Sequence, residues 1–395
     1  MNNYVMFTVC NVAYLPKALA LGKSVLEQTG IKLKIFIIDK KRKLPFFIEF
    51  SELYWIEDLN IQNFYHLAFK YDITEFSTSV KPLLALNLLD SYEKVIFLDP
   101  DTFLYNNLDG VLSDLDDYSI VLTPHYMSPY PAGDISMLRF GSFNLGFFAV
   151  NNSIESLKFL KWWDERCQDY CYFETQFGLS TDQKWISIAN CFFSSIKVNV
   201  DPSLNVSFWN LHERKISHTE DSFFVNGHPL VLFHFSSFNS RNPKLLTTRP
   251  ILLPNLINKS TELLSSAYAI RLKEFDSYVT DTRYAYDYLD DGSYISPTLR
   301  RAYAACYNEL VSINNPFEFN GKIKRFIKVN YLHTFSTPYK SLGFDDKNNS
   351  KLAFTLINMS LRFILFVIGP NKFMNLSRLF VYLSSYRINR DLWKV

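Results

Sequence analysis

The stretch KVIFLDPDTFLYN, from Lys94 to Asn106, joins an apolar run to two aspartates that are separated by one proline. The run predicts a buried β-strand, and Asp99 and Asp101 follow at its carboxyl end. Side chains two residues apart on an extended chain point the same way, and two close carboxylates repel each other unless a positive charge lies between them. The pair fits a divalent cation site, but taken alone it is a weak signal and favours an Asp-Pro turn with solvated acids.

Strands and helices alternate on the amino-terminal side of this stretch. YVMFTVC (4–10) predicts a strand, a helix is expected from about Pro16 to Gln28, and KLKIFIID (32–39) predicts the next strand. Strand, helix and strand at this spacing are typical of a parallel, doubly wound sheet. Ligands of such sheets bind beyond the carboxyl ends of the strands, which is where the two aspartates are expected.

The same kinds of pattern continue along the chain. They predict a helix over 76–89, strands over 119–124, 143–153 and 229–235, and a helix to about Gln168 that Ser153 caps. We therefore expect an α/β fold, with a mixed, mostly parallel sheet flanked by helices and a C-terminal helical extension. The expected domains are 1–250 for the sheet, 251–320 for the extension and 321–395 for a basic, amphipathic helical tail.

Composition separates an acidic body from a basic tail. Hydrophobic residues make up 48% of the chain, which argues for a large core and against disorder. Residues 321–395 hold thirteen Lys or Arg and three Asp or Glu. The apolar run 352–369 is interrupted by Arg362 and suits an interfacial helix better than a membrane span. The tail therefore predicts attachment to an anionic membrane surface, with packing on the protein or on a second copy as the alternative.

Five cysteines without zinc-finger spacing suit a reducing cytosol, and no signal peptide is recognised at the N-terminus. These features predict a cytoplasmic protein that is peripheral on the inner face of the cytoplasmic membrane. We expect no nucleic-acid partner, and a homo-oligomer stays an open alternative.

Five motifs follow one another in order: KPLLALNLLDSYEKVIFLDPDT (81–102), GSFNLGFFAVNN (141–152), STDQKWI (180–186), DPSLNVSFWNLHER (201–214) and GHPLVLFHFSSF (227–238). Together they resemble the metal-dependent GT-A glycosyltransferases, in particular those similar to glycosyltransferase family 8 and related bacterial polysaccharide enzymes. The resemblance covers roughly residues 4–240. It implies the Rossmann-like GT-A fold, a Mn²⁺ or Mg²⁺ cofactor, and transfer of a hexose from a UDP-sugar to a glycan. A lipid-linked acceptor is expected, as in the synthesis of cell-surface polysaccharide such as lipopolysaccharide O-antigen.

The resemblance also implies roles for individual residues. The metal ligands would be Asp99, Asp101 and His234, and the donor would meet Lys81, Asn144 and Gly146. Asp182 and Gln183 would lie beside the reacting sugar, and Asn205 and Trp209 would shape the acceptor side. His212 and Arg214 would pair with phosphate. Each role has a structural alternative. These are a core histidine at 234, a strand bulge at Gly146, a helix N-cap at Thr181 or Asp182, a solvated Lys81, a core Trp209 and a surface ion pair at Arg214.

The chain departs from the family 8 pattern in HFSSFNSRNPK (234–244), where Ser237 replaces a glycine. Arg241 or Lys244 would then take the place of the family's diphosphate-binding lysine. Retention of anomeric configuration is favoured because no unambiguous general base is found, Asp182 being the candidate. Two alternative functions are a catalytically degenerate glycan- or membrane-binding scaffold and a sugar nucleotidyltransferase. The second usually needs a glycine-rich loop after the first strand, and TVCNVAYLPKALA (8–20) has no glycine.

Overall fold

The computed structural model describes residues 3–249, 257–279, 281–333 and 351–395, with side chains from residue 354 onward in the last range. The chain forms two compact units. The first unit consists of residues 1–64 and 73–285, and the second consists of residues 65–72 and 286–395. The predicted domain boundaries near residues 250 and 320 stay a prediction.

The strands of the described part, in chain order, are β1 Tyr4–Cys10, β2 Leu33–Ile37, β3 Ser51–Trp55, β4 Lys94–Leu98, β5 Thr102–Leu104, β6 Ile120–Pro124, β7 Phe143–Asn151, β8 Phe173–Glu174, β9 Leu179–Ser180, β10 Ile196–Val198, β11 Ile216–His218, β12 Phe223–Val225, β13 His228–Pro229 and β14 Leu232–His234. The α-helices are α1 Leu15–Thr29, α2 Phe64–Lys70, α3 Ile73–Ser79, α4 Lys81–Leu89, α5 Asp109–Asp117, α6 Pro131–Phe140, α7 Ile154–Tyr170, α8 Gln183–Ile186, α9 Lys259–Lys273, α10 Pro297–Ala305, α11 Tyr307–Leu310, α12 Gly321–Val329, α13 Lys351–Ile368 and α14 Pro370–Leu383.

The first unit is built on a seven-stranded sheet of order β10-β6-β7-β4-β1-β2-β3. Neighbouring strands run parallel except at β7, which is antiparallel to both β4 and β6. The predicted mixed, mostly parallel α/β sheet is therefore confirmed. β1, β4 and β7 are buried almost throughout, because helices that cover both faces of a sheet require apolar residues on both sides of its strands.

Aromatic rings cross the centre of this sheet from strand to strand. Phe7 of β1 lies opposite Phe97 of β4, and Phe97 lies opposite Phe148 of β7. Their ring centroids are 5.1 Å and 5.2 Å apart, distances at which aromatic pairs add to the burial energy. Trp163 of α7 packs its ring edge to face against Phe148 at 5.1 Å. This row of rings fixes the register of the strand that ends at the two aspartates.

Local sequence explains most element boundaries. Pro16 occupies the first turn of α1, and Gly30 ends that helix in the left-handed region at φ 71°. The Ser153 hydroxyl accepts a hydrogen bond from Ser156 N and caps α7, as predicted. α9 has a capping box at Asn258 and belongs to the first unit, where Arg271 pairs with Glu27 of α1 at 2.9 Å.

Two sequence predictions need correction. The helix expected over 76–89 is two helices, α3 and α4, which separate at Val80. Pro82 explains the break, because its ring would clash with the carbonyl four residues earlier in a continuous helix. The strand expected over 229–235 is shorter, since β14 covers Leu232–His234 while His228–Pro229 pairs with β12 in a separate three-stranded sheet.

β5 and β14 form the connection that matters for the site. β14 pairs antiparallel with β5, and the register places His234 opposite Thr102. Asp99 N donates to Gly146 O at 2.8 Å, which ties the end of β4 to β7. The chain segment 99–101, the middle of β7 and the end of β14 therefore meet at one edge of the sheet.

In the second unit, Arg300 is buried and donates to the carbonyls of Ala68, Phe69 and Tyr71 at the end of α2, at 2.8, 3.0 and 2.5 Å. The Arg300 guanidinium satisfies carbonyls that have no partner within the helix, and its positive charge interacts favourably with the negative end of the helix dipole. α13 and α14 pack against each other and leave several large apolar side chains exposed: Leu356, Ile357, Phe363, Phe366 and Phe380. Across the described residues, we find no helix with the length and apolar character needed to traverse a bilayer.

Candidate active site

Asp99, Asp101 and His234 form a cluster whose possible ligand atoms all lie within 4.8 Å of one another. His234 Nε2 is 3.2 Å from Asp101 Oδ1 and 3.9 Å from Asp99 Oδ2. A turn closed by Thr102, whose N and Oγ1 both donate to Asp99 O, presents the two carboxylates together. Two carboxylates and an imidazole are a donor set that suits Mn²⁺ or Mg²⁺. The three residues predicted as metal ligands are thus brought together.

The electrostatics of the cluster keep Asp101 ionised. Burial raises the pKa of Asp101, but the contact with His234 and the charge of Lys17 outweigh burial and hold the pKa below its ordinary value. Lys17 Nζ lies 3.8 Å from Asp101 Oδ2. Asp101 is 8% exposed, whereas Asp99 is half-buried. An ionised, nearly buried carboxylate is a ready ligand for a cation.

Gly146 lets the imidazole of His234 approach β7. A Cβ at this position would lie 2.4 Å from His234 Cε1, 2.5 Å from His234 Nδ1 and 2.8 Å from Asn144 Oδ1. His234 Nδ1 is buried and has no hydrogen-bond partner among the described residues, so packing at this end of the ring and the contact of Nε2 with Asp101 hold the imidazole. The register between β6 and β7 also shifts in the part of β7 that contains Gly146. The bulge and the close approach therefore occur together.

Lys81 is a buried lysine at the start of α4, which excludes the solvated alternative. Its Nζ donates to Leu145 O at 2.9 Å and lies 3.3 Å from both Asp99 Oδ1 and Asp182 Oδ2. Burial lowers the pKa of Lys81, but Asp182 and Asp99 outweigh that effect and raise it. For Asp182, burial raises the pKa against the opposing charge of Lys81. Lys81 therefore links the metal-binding group to Asp182.

Asp182 and Gln183 lie where β9 leads into α8. Asp182 occupies the N-cap position of α8 but makes no side-chain capping bond, so the N-cap alternative holds for the position and not for the bond. Its Oδ1 accepts from Thr181 Oγ1 at 3.1 Å. Gln183 bridges two elements, since Oε1 accepts from Leu145 N at 3.2 Å and Nε2 donates to Phe140 O at 3.0 Å. Both side chains are therefore held firmly beside Lys81.

Asn205 and Arg214 do not line the cavity, although we expected Asn205 on the acceptor side and Arg214 at a phosphate. Asn205 is 2% exposed, and its Nδ2 donates to Asn144 Oδ1 at 3.1 Å and to Thr123 Oγ1 at 2.8 Å, so that it positions Asn144. Arg214 is 1% exposed and donates to Leu204 O at 2.6 Å, which also excludes the surface ion pair. Burial lowers the pKa of Arg214 to about 10. The motif DPSLNVSFWNLHER (201–214) gave no signal of this burial.

One cavity of about 780 Å³ contains the site. Its lining includes ten of the predicted residues, eight of which are those predicted for the metal, the donor and the reacting sugar: Lys81, Asp99, Asp101, Asn144, Gly146, Asp182, Gln183 and His234. Trp209 and His212 line it as well, and the buried Trp209 Nε1 has no hydrogen-bond partner in the described part of the chain. The cavity is large enough for a drug-sized or nucleotide-sized ligand.

Sequence reasoning missed part of the lining. Tyr126 and Tyr130 face His212, with the Tyr130 ring stacked on the imidazole at 4.1 Å, and Tyr14 and Arg249 lie on the lining near the aspartates. These residues occupy loops and helix ends without periodicity, so no pattern marked them. The sequence MSPYPAG around Tyr130 indicates a turn but does not tell which way the tyrosine side chain faces.

No family model matches the chain. The chain is 26% identical over 245 residues to the uncharacterized protein YfnF of Bacillus subtilis (strain 168), a match that spans 58% of this chain and 80% of that protein. The galactosyltransferase LgtC, solved with donor and acceptor sugar analogs, is similar at 13% identity and a TM-score of 0.42, over 69% of this chain and 99% of LgtC. The glycosyltransferase GlyE of Streptococcus pneumoniae TIGR4 is similar at 16% identity and a TM-score of 0.41, over 69% and 63% of the two chains.

Proposed function

We propose that this chain is a metal-dependent glycosyltransferase that moves a hexose from a UDP-sugar to a glycan acceptor. The observation that carries the proposal is the cluster of Asp99, Asp101 and His234, joined through Lys81 to Asp182 inside one cavity. A cation-binding group next to a hydrogen-bonding group is the pairing that a sugar diphosphate needs, because the phosphates carry charge and the sugar carries hydroxyls.

Asp99, Asp101 and His234 would hold the metal, and Mn²⁺ or Mg²⁺ fits their donor atoms. The fit is supported by the ionised Asp101 and by the imidazole that packing against Gly146 keeps in place. A bound divalent cation supplies charge neutralisation to the diphosphate and so improves it as a leaving group. The residues of the chain supply the geometry, since they fix the cation at the end of β4.

Lys81, Asn144, Asp182 and Gln183 would form the sugar side. In transfer, the bond from the anomeric carbon to the diphosphate oxygen breaks and a bond from that carbon to the acceptor oxygen forms. The acceptor proton leaves on the departing diphosphate. Asp182 and Asn144 would accept hydrogen bonds from sugar hydroxyls, and Lys81 would keep Asp182 ionised beside them.

Retention of configuration is the outcome we propose. Among the described residues that line the cavity, three carry carboxylates: Asp99, Asp101 and Asp182. The first two belong to the metal group, and Asp182 is paired with Lys81. Inversion needs a general base within hydrogen-bond reach of the acceptor hydroxyl, and none of these carboxylates is free for that role.

Trp209 and His212, together with Tyr126 and Tyr130, would form the acceptor side. Flat aromatic faces stack on the apolar faces of sugars, and buried ring N–H groups need partners. The unpartnered Trp209 Nε1 supports this placement. We propose a lipid-linked glycan as acceptor, of the kind used for cell-surface polysaccharide such as O-antigen.

The tail would bring the enzyme to the inner face of the cytoplasmic membrane. α13 and α14 expose large apolar side chains and carry basic residues that include Lys351, Arg362, Lys372 and Arg378. Each basic residue near an anionic lipid surface contributes about 1 kcal/mol. Contact with a second copy through the same apolar side chains is the alternative.

A panel of UDP-hexoses tests the proposal, with Mn²⁺ and a glycan acceptor and with NMR of the product. We expect one donor to be used and its anomeric configuration to be retained. Donor binding without turnover would favour a degenerate scaffold. The turn Val12–Tyr14 after β1 contains no glycine, which continues to argue against a nucleotidyltransferase.

A further inference from the structure

Two side chains with a permanent positive charge are found among the described residues that line the cavity, Lys81 and Arg249. Lys81 is already engaged, because its Nζ donates to Leu145 O and lies 3.3 Å from a carboxylate oxygen of Asp99 and of Asp182. Arg249 is exposed, and its Nε donates to Ser237 Oγ at 3.1 Å. In the described part of the chain, no carboxylate lies within ion-pair distance of Arg249. Arg249 is therefore the cation of this cavity that is left to meet an incoming anion.

The loop after β14 holds Arg249 in place. Thr248 N donates to Ser237 O at 3.1 Å, and Thr247 Oγ1 donates to Ser236 O at 2.9 Å. Arg249 N in turn donates to Thr247 Oγ1 at 3.1 Å. Ser237 has φ 56°, in the left-handed region, and its hydroxyl accepts from the guanidinium. The loop thus closes on itself and returns Arg249 to the cavity near His234.

Arg249 lies on the side of the metal group that faces Tyr14. Tyr14 and Arg249 both line the cavity. The pKa of Tyr14 is raised by burial and then by the charges of Asp101 and Asp99, while the charge of Arg249 acts against this rise. Lys17 contacts Asp101 on the same side, and its Nζ lies 4.2 Å from the centroid of the Tyr14 ring. With a divalent cation bound to the two aspartates, this side carries a net positive charge. Lys81, which pairs with Asp182 in the group proposed for the sugar, contacts Asp99 instead.

We infer that Arg249 binds the diphosphate of the donor and that Ser237 positions its guanidinium for this contact. The inference rests on the proposed function, since it names the residue that meets the leaving group. A guanidinium donates two parallel hydrogen bonds to phosphate oxygens, which is the geometry that this ligand favours. Arg241 and Lys244, the two residues expected from the sequence, are exposed and lie outside the cavity lining.

The test is calorimetric titration of UDP into the full-length protein in the presence of Mn²⁺. Arg249→Met should weaken UDP binding about 10- to 100-fold, the effect expected for loss of a charged hydrogen bond. Arg249→Lys should recover part of the loss. Uridine binding, followed by ligand-observed NMR, should not change because uridine has no phosphate. Arg241→Met and Lys244→Met are matched controls and should bind UDP like the wild type.

Ser237→Gly separates positioning from folding. Glycine tolerates φ 56° better than serine does, so the melting temperature should stay equal or rise. UDP binding should nevertheless weaken about 3- to 10-fold, because Arg249 loses its partner. A serine with a structural role alone would leave UDP binding unchanged.

The results separate two failures. If the wild type binds UDP with Mn²⁺ and Arg249→Met binds it equally well, the role of Arg249 is wrong and the proposed function stands. If the wild type shows no Mn²⁺-dependent binding of UDP, the proposed function fails and the role of Arg249 falls with it.

Discussion

Replacing Gly146 with alanine should impair metal binding without removing any ligand. The added Cβ would lie 2.4 Å from His234 Cε1 and 2.5 Å from His234 Nδ1, whereas carbon atoms in contact are about 3.5–4.0 Å apart. One of the two must therefore move by about 1 Å or more. The imidazole cannot retreat freely, because the Trp209 ring packs edge to face against it at 5.1 Å. Displacement of His234 away from Asp99 and Asp101 is the expected result.

The size of this effect can be bounded. Overpacking of a tight site costs about 1–3 kcal/mol of folding free energy. Loss of the contacts that orient a metal-ligating histidine typically lowers metal affinity about 10- to 100-fold. We therefore expect Gly146→Ala to fold with a lowered melting temperature and to bind Mn²⁺ about 10- to 100-fold more weakly. Mn²⁺ binding is followed by the electron paramagnetic resonance signal of the free ion, and folding by thermal unfolding.

Gly110→Ala is the matched control. A Cβ at Gly110 would meet nothing within 4 Å, and neither Gly110 nor Gly146 has a positive φ. Because Gly110 lies in α5, alanine should stabilise the helix by about 0.5–1 kcal/mol and leave Mn²⁺ affinity unchanged. A folded Gly146→Ala protein with wild-type Mn²⁺ affinity would refute the steric reasoning.

Three further predictions concern the metal group, the Lys81–Asp182 pair and the tail. Asp101→Asn should abolish measurable Mn²⁺-dependent binding of UDP in calorimetry, whereas Asp221→Asn, at an exposed position, should have no effect. Equal losses in both variants would contradict the role of Asp101 as a metal ligand. Lys81→Met should destabilise the fold by about 3–5 kcal/mol because it leaves the Asp182 carboxylate buried and unpaired. Asp182 already has a raised pKa in the folded protein, so protonation at low pH relieves this cost, which should be larger at pH 8 than at pH 5 in thermal unfolding. The double variant Lys81→Met, Asp182→Asn should recover stability, and a pH-independent loss would argue against the pair. Phe366→Asp, in the tail, should lower co-sedimentation with anionic vesicles, whereas Phe47→Asp should not. The two phenylalanines are matched in exposure, at 86% and 84%, and differ mainly in location. Equal sedimentation of both variants would refute the membrane role of the tail.

The sequence predicted the fold to the extent that local patterns determine it. The strand 4–10 and the cap at Ser153 agree with the structure because a continuous apolar run and a capping serine are local signals. The single helix over 76–89 was wrong because Pro82 ends the first helix, although the apolar periodicity continues across the break. The antiparallel direction of β7 has no local signal, since both faces of the strand are buried in either direction.

The site was predictable where residues follow strands. Asp99 and Asp101 end a strand of the sheet, and His234 ends β14, so topology brought them together. Asn205 and Arg214 belong to the same motif as Trp209, yet they turn into the protein interior. Spacing within an irregular loop does not tell which side chains face a cavity. Arg249 escaped notice for a related reason, because its return to the cavity depends on hydrogen bonds between residues 236–237 and 247–249.

The central claim is that one divalent cation binds at the end of β4 and carries the donor diphosphate. A crystal structure of the protein with Mn²⁺ and UDP, with the ion located by anomalous scattering, tests it most directly. The account predicts one ion within about 2.5 Å of Asp99, Asp101, His234 and a diphosphate oxygen. UDP bound elsewhere, or an anomalous peak that none of these three side chains contacts, would contradict it.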